Sequence, residues 1–317
     1  MNASPGGVFR PCPLCGSTDD SRVVAQARFD ADRLDEFAFS SRKIPEYMHH
    51  RLIGCPVCDV VYASPVPATP QTLVKAYEDA AFDSGTESHY ASRTYGRLLS
   101  RIKTTLPDSV GAVDVGTGDG AFLEQLLAEG FTHVVGIEPS KAPIAVSKPE
   151  IRPLIRYGPF ESQPLEQENY RLVTCFQTLE HLFDPIGMCQ GAYRWLKRDG
   201  AVLVVCHNRR ACSARLLGAK SPIFDIEHLQ LFSPKSLKYL LERAGFSDVQ
   251  ILPVWNTYPL HYWLKLLPFP RALKRLSLLM SKKTGVGCLP VSIPAGNIAA
   301  VGYKRYGGGL PSQGTVH

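Results

Sequence analysis

The sequence predicts an α/β fold: an open, mainly parallel sheet flanked by helices, preceded by a small segment closed by a metal ion. Three observations predict it. A strand, a glycine turn, a helix and a second strand follow one another without interruption from Gly111 to Ser140. Beyond them, short apolar runs alternate with helical ones as far as a last strand at Asn297–Tyr303. Ahead of them stand two C-x-x-C pairs, Cys12/Cys15 and Cys55/Cys58. The chain divides accordingly into a metal segment (1–70), an α/β domain (71–306) and a Gly/Ser-rich tail (307–317) expected to be disordered. A length of 317 residues, 44% hydrophobic and 20% charged, is ordinary for one such domain with additions.

In the N-terminal segment, each C-x-x-C lets two thiolates reach one ion from a tight turn. Two such turns supply the four ligands of a closed tetrahedral zinc site at Cys12, Cys15, Cys55 and Cys58. The interval between them exceeds the usual ribbon spacing, and strand-like stretches at 22–29 and 37–39 give the loop structure of its own. A redox motif would come once and follow a strand of a βαβ unit, so the pair reads as structural zinc. It staples a segment too small to hold a core. Four thiolates leave no open position for chemistry. Pro65, Pro67 and Pro70 then punctuate a linker, Thr69 opens a helix through Tyr77, and a further helix at 87–105 carries an apolar face of Tyr95, Leu98, Leu99 and Ile102.

The stretch GAVDVGTGDGAFLEQLLAEGFTHVVGIEPS follows. Val113 and Val115 flank Asp114 in a buried strand, and Gly116, Thr117, Gly118 and Gly120 make a turn. Phe122, Leu123, Leu126 and Leu127 give the helix its stripe, and Glu138-Pro139 closes the second strand. Glycines let backbone approach a ligand closely, a helix N-terminus points N–H groups at it, and an acid at the next strand end accepts hydrogen bonds from a ribose diol. Dinucleotide sites share this plan, but their fingerprint is G-x-G-x-x-G. Here the spacing is G-x-G-x-G, with Asp119 in the turn and no phosphate-seeking lysine.

That pattern resembles motif I of the class I S-adenosylmethionine-dependent methyltransferases. The strand Tyr170–Phe176 ends in Gln177-Thr178-Leu179-Glu180-His181-Leu182-Phe183-Asp184-Pro185, which resembles the same family's Glu-His-Leu…Asp-Pro strand end. The resemblance implies a Rossmann-like sheet of seven strands closing in an antiparallel hairpin, here 249–254 with 297–303. It implies S-adenosylmethionine as cofactor, with Gln177 and Thr178 facing its methionine part and Phe160 and Glu161 meeting the adenine. His181 is expected to face the reacting centre.

Downstream, Glu227-His228-Leu229-Gln230-Leu231-Phe232-Ser233 precedes a helix with Ser233 as its cap, Pro234 at its first position and Gly245 as its stop. This loop, with the C-x-x-C pairs and the Pro-rich turn, resembles the sugar, glycan and natural-product methyltransferases, in particular the deoxysugar C-methyltransferases. In those enzymes the Glu-His pair supplies the general base. A histidine beside a carboxylate suits that work, being near neutral in pKa with an acid to steady its charged form. Those enzymes carry a tyrosine three residues before the histidine; Asp225 stands there instead, which leaves O-methylation open beside C-methylation.

The 255–296 insertion between the last two strands is aromatic at one end and basic at the other. It is too broken by Pro268 and Pro270 to span a bilayer. Covering the substrate, dimerising, packing in the core and a peripheral membrane contact through 255–283 all remain open for it. The expected partner is a small-molecule or glycan acceptor. Nucleic acid is not expected, because the 12–58 segment balances its charges and shows no basic-aromatic platform. An RNA methyltransferase, a non-catalytic module and a dehydrogenase are the competing readings. The start has no basic and apolar signal pattern, no apolar run reaches about 18 residues, and nine cysteines in this pattern fit a reducing compartment. The chain therefore reads as a cytoplasmic enzyme, with the inner membrane face as its one peripheral option. A formal charge of +6 permits an acidic substrate or surface.

Overall fold

The computed structural model describes residues 7–29, 48–66, 85–218, 221–267 and 270–305. The strand-like stretch at 37–39, the helix expected from Thr69 to Tyr77 and the 307–317 tail lie outside them.

Near the N-terminus, β1 (Val23–Ala25), β2 (Leu52–Gly54) and β3 (Val61–Ala63) form an antiparallel meander. The helix α1 (Gly85–Lys103) leads into the α/β domain. There β4 (Val110–Val115), α2 (Ala121–Ala128), β5 (Thr132–Glu138), α3 (Lys141–Val146), β6 (Ile155–Tyr157) and β7 (Tyr170–Phe176) follow in turn. After them come α4 (Pro185–Trp195), β8 (Leu196–His207), α5 (Cys212–Leu217), the short β9 (Gln230–Leu231), α6 (Pro234–Arg243) and β10 (Ser247–Pro253). The insertion folds as β11 (Asn256–Pro259), α7 (Leu260–Leu266), α8 (Arg271–Lys283) and β12 (Pro290–Ile293), and β13 (Asn297–Tyr303) closes the domain.

Seven strands make the main sheet in the order β10-β13-β8-β7-β4-β5-β6. All pair in parallel except β13, which runs antiparallel to both β8 and β10. The expected closing hairpin is therefore present. β7 is buried along its whole length and β4 beyond its first residue, as strands covered on both faces must be. On one face Tyr95, Leu98, Leu99 and Ile102 of α1 pack with Phe122, Leu123 and Leu126 of α2. Leu127 departs from the expected stripe and is exposed, while its neighbour Leu126 is buried: Phe122, Leu123 and Leu126 define the inward face of α2. On the other face lie α4, through Met188, Cys189 and Ala192, and α6, through Leu237, Leu240 and Leu241. Asp184 caps α4 by accepting the Gly187 N–H at 2.8 Å, and Ser233 with Ser236 forms a capping box on α6.

The N-terminal segment does not pack as a separate body. β9, which belongs to the α/β domain by sequence, pairs with β3 (Val61 with Leu231) and completes a four-stranded sheet β1-β2-β3-β9. Cys12, Leu14, Ile53, Val60 and Tyr62 share one hydrophobic core with Val173, Phe232 and Leu237. The half-buried Arg10 reaches across the seam to the carbonyls of Ala63 (3.1 Å), Phe183 (3.2 Å) and Leu229 (2.9 Å). The chain order reverses between β4 and β7. The crevice outside the carboxyl ends of those strands is where an open α/β sheet takes its ligand.

Candidate active site

A cavity of about 720 Å³ opens at that crevice. On one side it meets the glycine turn after β4. Gly116 has φ of 77°, and a Cβ there would sit 2.2 Å from Thr178 Oγ1, so the turn needs glycine for both reasons. Gly118, with φ of 60°, differs: an added Cβ would meet nothing within 4 Å, and the open space beside it is the cavity. Thr117 also lines the cavity, whereas Gly120 faces inward, its Cβ position 2.5 Å from Ile151. Gly120 thus serves the turn's packing rather than the cavity wall.

Glu138 holds the turn from the end of β5. Its Oε2 accepts the Gly118 N–H at 2.8 Å and its Oε1 accepts the Ser140 N–H at 2.9 Å. Burial pushes its carboxyl up to about 7 against the pull of those two donors. Asp114 is buried one strand inward and accepts the Thr174 hydroxyl at 2.6 Å; burial lifts it to about 6. Each Glu138 oxygen keeps acceptor capacity beyond its one backbone donor. Pro139, Phe160, Glu161, Gln177 and Thr178 all line the same cavity. Gln177 is in the left-handed region (φ 53°), and its Nε2 is buried with no hydrogen-bond partner among the described residues. A buried donor without a partner costs about 1–3 kcal/mol. Gln177 itself lines the crevice, so a small rotation of its side chain would offer this donor to a ligand there. The open volume beside Gly118, the acid at the strand end and this donor suit a nucleoside that carries an amino-acid portion.

The same cavity is also lined by a histidine cluster. His181 follows β7, His207 ends β8, and His228 lies on the loop before β9. The His228 ring centroid is 5.0 Å from that of His181 and 5.1 Å from that of His207. His228 Nδ1 lies 2.8 Å from the Ile223 carbonyl. A carbonyl there accepts only from N–H, which assigns the proton to Nδ1 and the lone pair of the neutral ring to Nε2. His181 Nδ1 is 3.2 Å from the Glu227 carbonyl and 3.8 Å from its Oε2. His207 Nδ1 meets Asn297 Oδ1 at 3.0 Å, and burial lowers its pKa. Gln230 staples the two histidine-bearing loops together: its buried amide donates to the Leu179 carbonyl at 2.6 Å and the Leu182 carbonyl at 2.7 Å. Glu180 accepts the His207 N–H at 2.6 Å, and burial raises it to about 7.

The insertion contributes a further part of the cavity lining. Tyr258 and Tyr262 stack with centroids 4.2 Å apart, Trp263 packs edge-on against Tyr258 at 5.5 Å, and all three line the cavity with Leu266 and Ile293. The described part of the insertion thus lines the crevice. No motif in the sequence marks His207, Tyr258, Tyr262 or Trp263. An aromatic run between the last two strands was the available signal.

The cysteines come together as expected. Cys12 Sγ is 3.5 Å from Cys58 Sγ, Cys15 Sγ is 3.4 Å from Cys55 Sγ, and all four sulfurs lie within 4.8 Å of one another. Four thiolates about 2.3 Å from a central zinc would be spaced on that scale. The donor set therefore fits a closed zinc site.

Residues 88–251 match the model of a methyltransferase-domain family. A ubiquinone biosynthesis O-methyltransferase from Photobacterium profundum is 26% identical over 48% of this chain and 70% of its own. Another of that name from Pseudomonas fluorescens is 31% identical over 47% of this chain and 70% of its own. Among solved structures, a methyltransferase from Archaeoglobus fulgidus aligns with a TM-score of 0.46 at 18% identity, over 67% of this chain and 94% of that one. The family match spans more than half of the chain and contains both the glycine turn with Glu138 and the strand-end histidines. The chain therefore belongs to the class I S-adenosylmethionine-dependent methyltransferases.

Proposed function

We propose that the protein methylates a hydroxyl oxygen of a sugar, a glycan precursor or a related hydroxylated metabolite, with His228 as general base. The observation that supports this reading is that the His228 cluster and the glycine turn line one and the same cavity. S-adenosylmethionine, when bound, supplies a methyl group on a sulfonium, which is displaced in line by the acceptor. The chain's own residues do the rest. Glu138 accepts from the ribose hydroxyls, Phe160 and Glu161 take the adenine, and Gln177 Nε2 donates to the methionine portion. His228 Nε2 removes the acceptor's proton, and the carboxylate of Glu227 steadies the charge that develops on the cluster. Orientation in a crevice roofed by Tyr258, Tyr262 and Trp263 supplies most of the rate. Aromatic faces of this kind suit a sugar ring. Asp225, in the place of the tyrosine expected for C-methylation, favours oxygen as the acceptor atom.

A phenolic acceptor is the second reading, favoured by the same aromatic wall and by the O-methyltransferase names of the relatives. The four cysteines, in our reading, hold structural zinc. The deciding experiment measures methyl transfer from radiolabelled S-adenosylmethionine to a panel of sugar nucleotides, glycan precursors and catechols. Transfer to catechols with none to sugars would overturn the sugar reading. His228→Ala with full activity would remove the base assignment.

A further inference from the structure

The helix α8 carries most of its large apolar residues on the side that its neighbours leave bare. Toward the domain it presents Lys274, Ser277, Leu278 and Ser281; Ser281 is buried and the other three are half-buried. Lys274 Nζ bonds the Lys265 carbonyl at 3.0 Å and so ties α8 to α7. Outward it presents Leu273, Leu276 and Met280, three and four residues apart, with Leu279 beside them. Each is about half exposed. A surface helix on a soluble domain is ordinarily built the other way round. Two further apolar residues of the insertion, Leu267 and Ile293, are exposed and line the cavity.

Charge identifies what covers it. From Trp255 to Tyr303 the sequence contains no Asp or Glu and six basic residues, among them Arg275 and Lys283, exposed on α8. The rest of the chain holds 29 basic and 29 acidic residues, so this segment carries the whole formal charge of +6. A second copy docked here would bring six positive charges against six, with no acid on either segment to pair them. An anionic lipid surface offers the opposite sign together with an apolar layer for the leucines, and a helix of 13 residues, about 20 Å long, is enough to lie in it. Among the described residues, no helix is long and apolar enough to cross a membrane.

We propose that the outward face of α8 docks on an anionic bilayer surface and holds the cavity mouth against it. This goes beyond the methyl-transfer reading and stands whether or not a sugar is the acceptor. The test is sedimentation of the full chain with sucrose-loaded vesicles of phosphatidylglycerol, or of phosphatidylcholine alone, at low and high salt. The expected result is binding to the anionic vesicles that salt weakens, with little binding to the neutral ones. Leu276→Glu with Met280→Glu, and separately Arg275→Glu with Lys283→Glu, should each lower the partition coefficient by about tenfold or more. S-adenosylhomocysteine affinity and circular dichroism, both unchanged, would show that the variants fold. Failure of the wild type to bind anionic vesicles at low salt would overturn the proposal. So would binding that neither variant weakens. A dimer abolished by Leu276→Glu with Met280→Glu, without vesicle binding, would assign the face to a second copy instead.

Discussion

Replacing Asp59 by Asn tests whether the cysteine segment positions the histidine cluster or merely precedes it. Asp59 follows the second cysteine pair and is buried, at 6% exposure. Its carboxylate pairs with Arg209 and Arg210 just beyond β8, Oδ2 accepting Arg210 Nε at 2.8 Å and the Ser233 hydroxyl at 2.6 Å. Arg209 also donates to the Asp59 carbonyl. One carboxylate thus fixes the end of β8, which carries His207, and the cap of α6, which follows the His228 loop. Asn keeps the shape, and it tolerates the left-handed backbone at this position (φ 67°), so the change removes the charge and turns one acceptor oxygen into a donor. Losing one partner of a buried ion pair costs about 3–5 kcal/mol. Arg210 is 45% exposed and recovers hydration, so the expected loss is about 2–4 kcal/mol, a fall in Tm of about 3–6 °C. Methyl transfer at a temperature where the variant is folded should fall about tenfold, while S-adenosylhomocysteine affinity, set by the β4–β5 side, holds within about twofold. Calorimetry and single-turnover kinetics read both, with zinc content measured as a control. An Asp59→Asn protein with unchanged Tm and turnover would refute the coupling of this segment to the catalytic loops.

Other expectations follow from the same geometry. Burial raises Glu138 and Asp114, so each stabilises the ligand-free fold at low pH and withdraws that stabilisation as pH climbs from its unfolded value toward about 7 and about 6. Thermal stability of the ligand-free protein should decline across that window while affinity for S-adenosylhomocysteine, which needs the ionised Glu138, rises. Glu138→Gln should flatten the affinity profile, and a flat wild-type titration would remove Glu138 from the ribose site. Gly116→Ala drives a methyl into Thr178 and should cost stability and binding together. Gly118→Ala meets no protein atom and should cost only about 1 kcal/mol of stability, yet weaken the cofactor about tenfold or more; equal effects of the two on binding would contradict the cavity assignment. The purified protein should contain about one zinc per chain, and Cys58→Ser should lose it and lower the Tm. Full metal-free stability would show that the four sulfurs pack without an ion.

The parts of this molecule that local sequence specifies were readable, and those that distant segments specify were not. Glu138 could be placed opposite Gly118 because 20 residues of strand, turn and helix fix their relation. His228 and His181 were legible as members of short motifs. Their common cavity depends on Gln230, which bridges back 51 residues to Leu179, and on Arg10, which reaches 219 residues forward to Leu229. No periodicity in either segment encodes those contacts. They are why the cysteine segment, set apart by composition at about residue 70, shares a sheet and a core with the domain it precedes. The insertion shows the same limit from the other side. Leucines at 273 and 276 with a methionine at 280 mark a helical stripe, but a stripe states only that something apolar covers it. The inward positions of α8 hold two serines, a lysine and a single leucine, Leu278, so the domain itself is not the cover for the outward stripe. Absence of acidic residues across the segment then separates the remaining occupants: it makes self-association repulsive and an anionic surface attractive, a distinction that hydrophobic periodicity alone cannot draw.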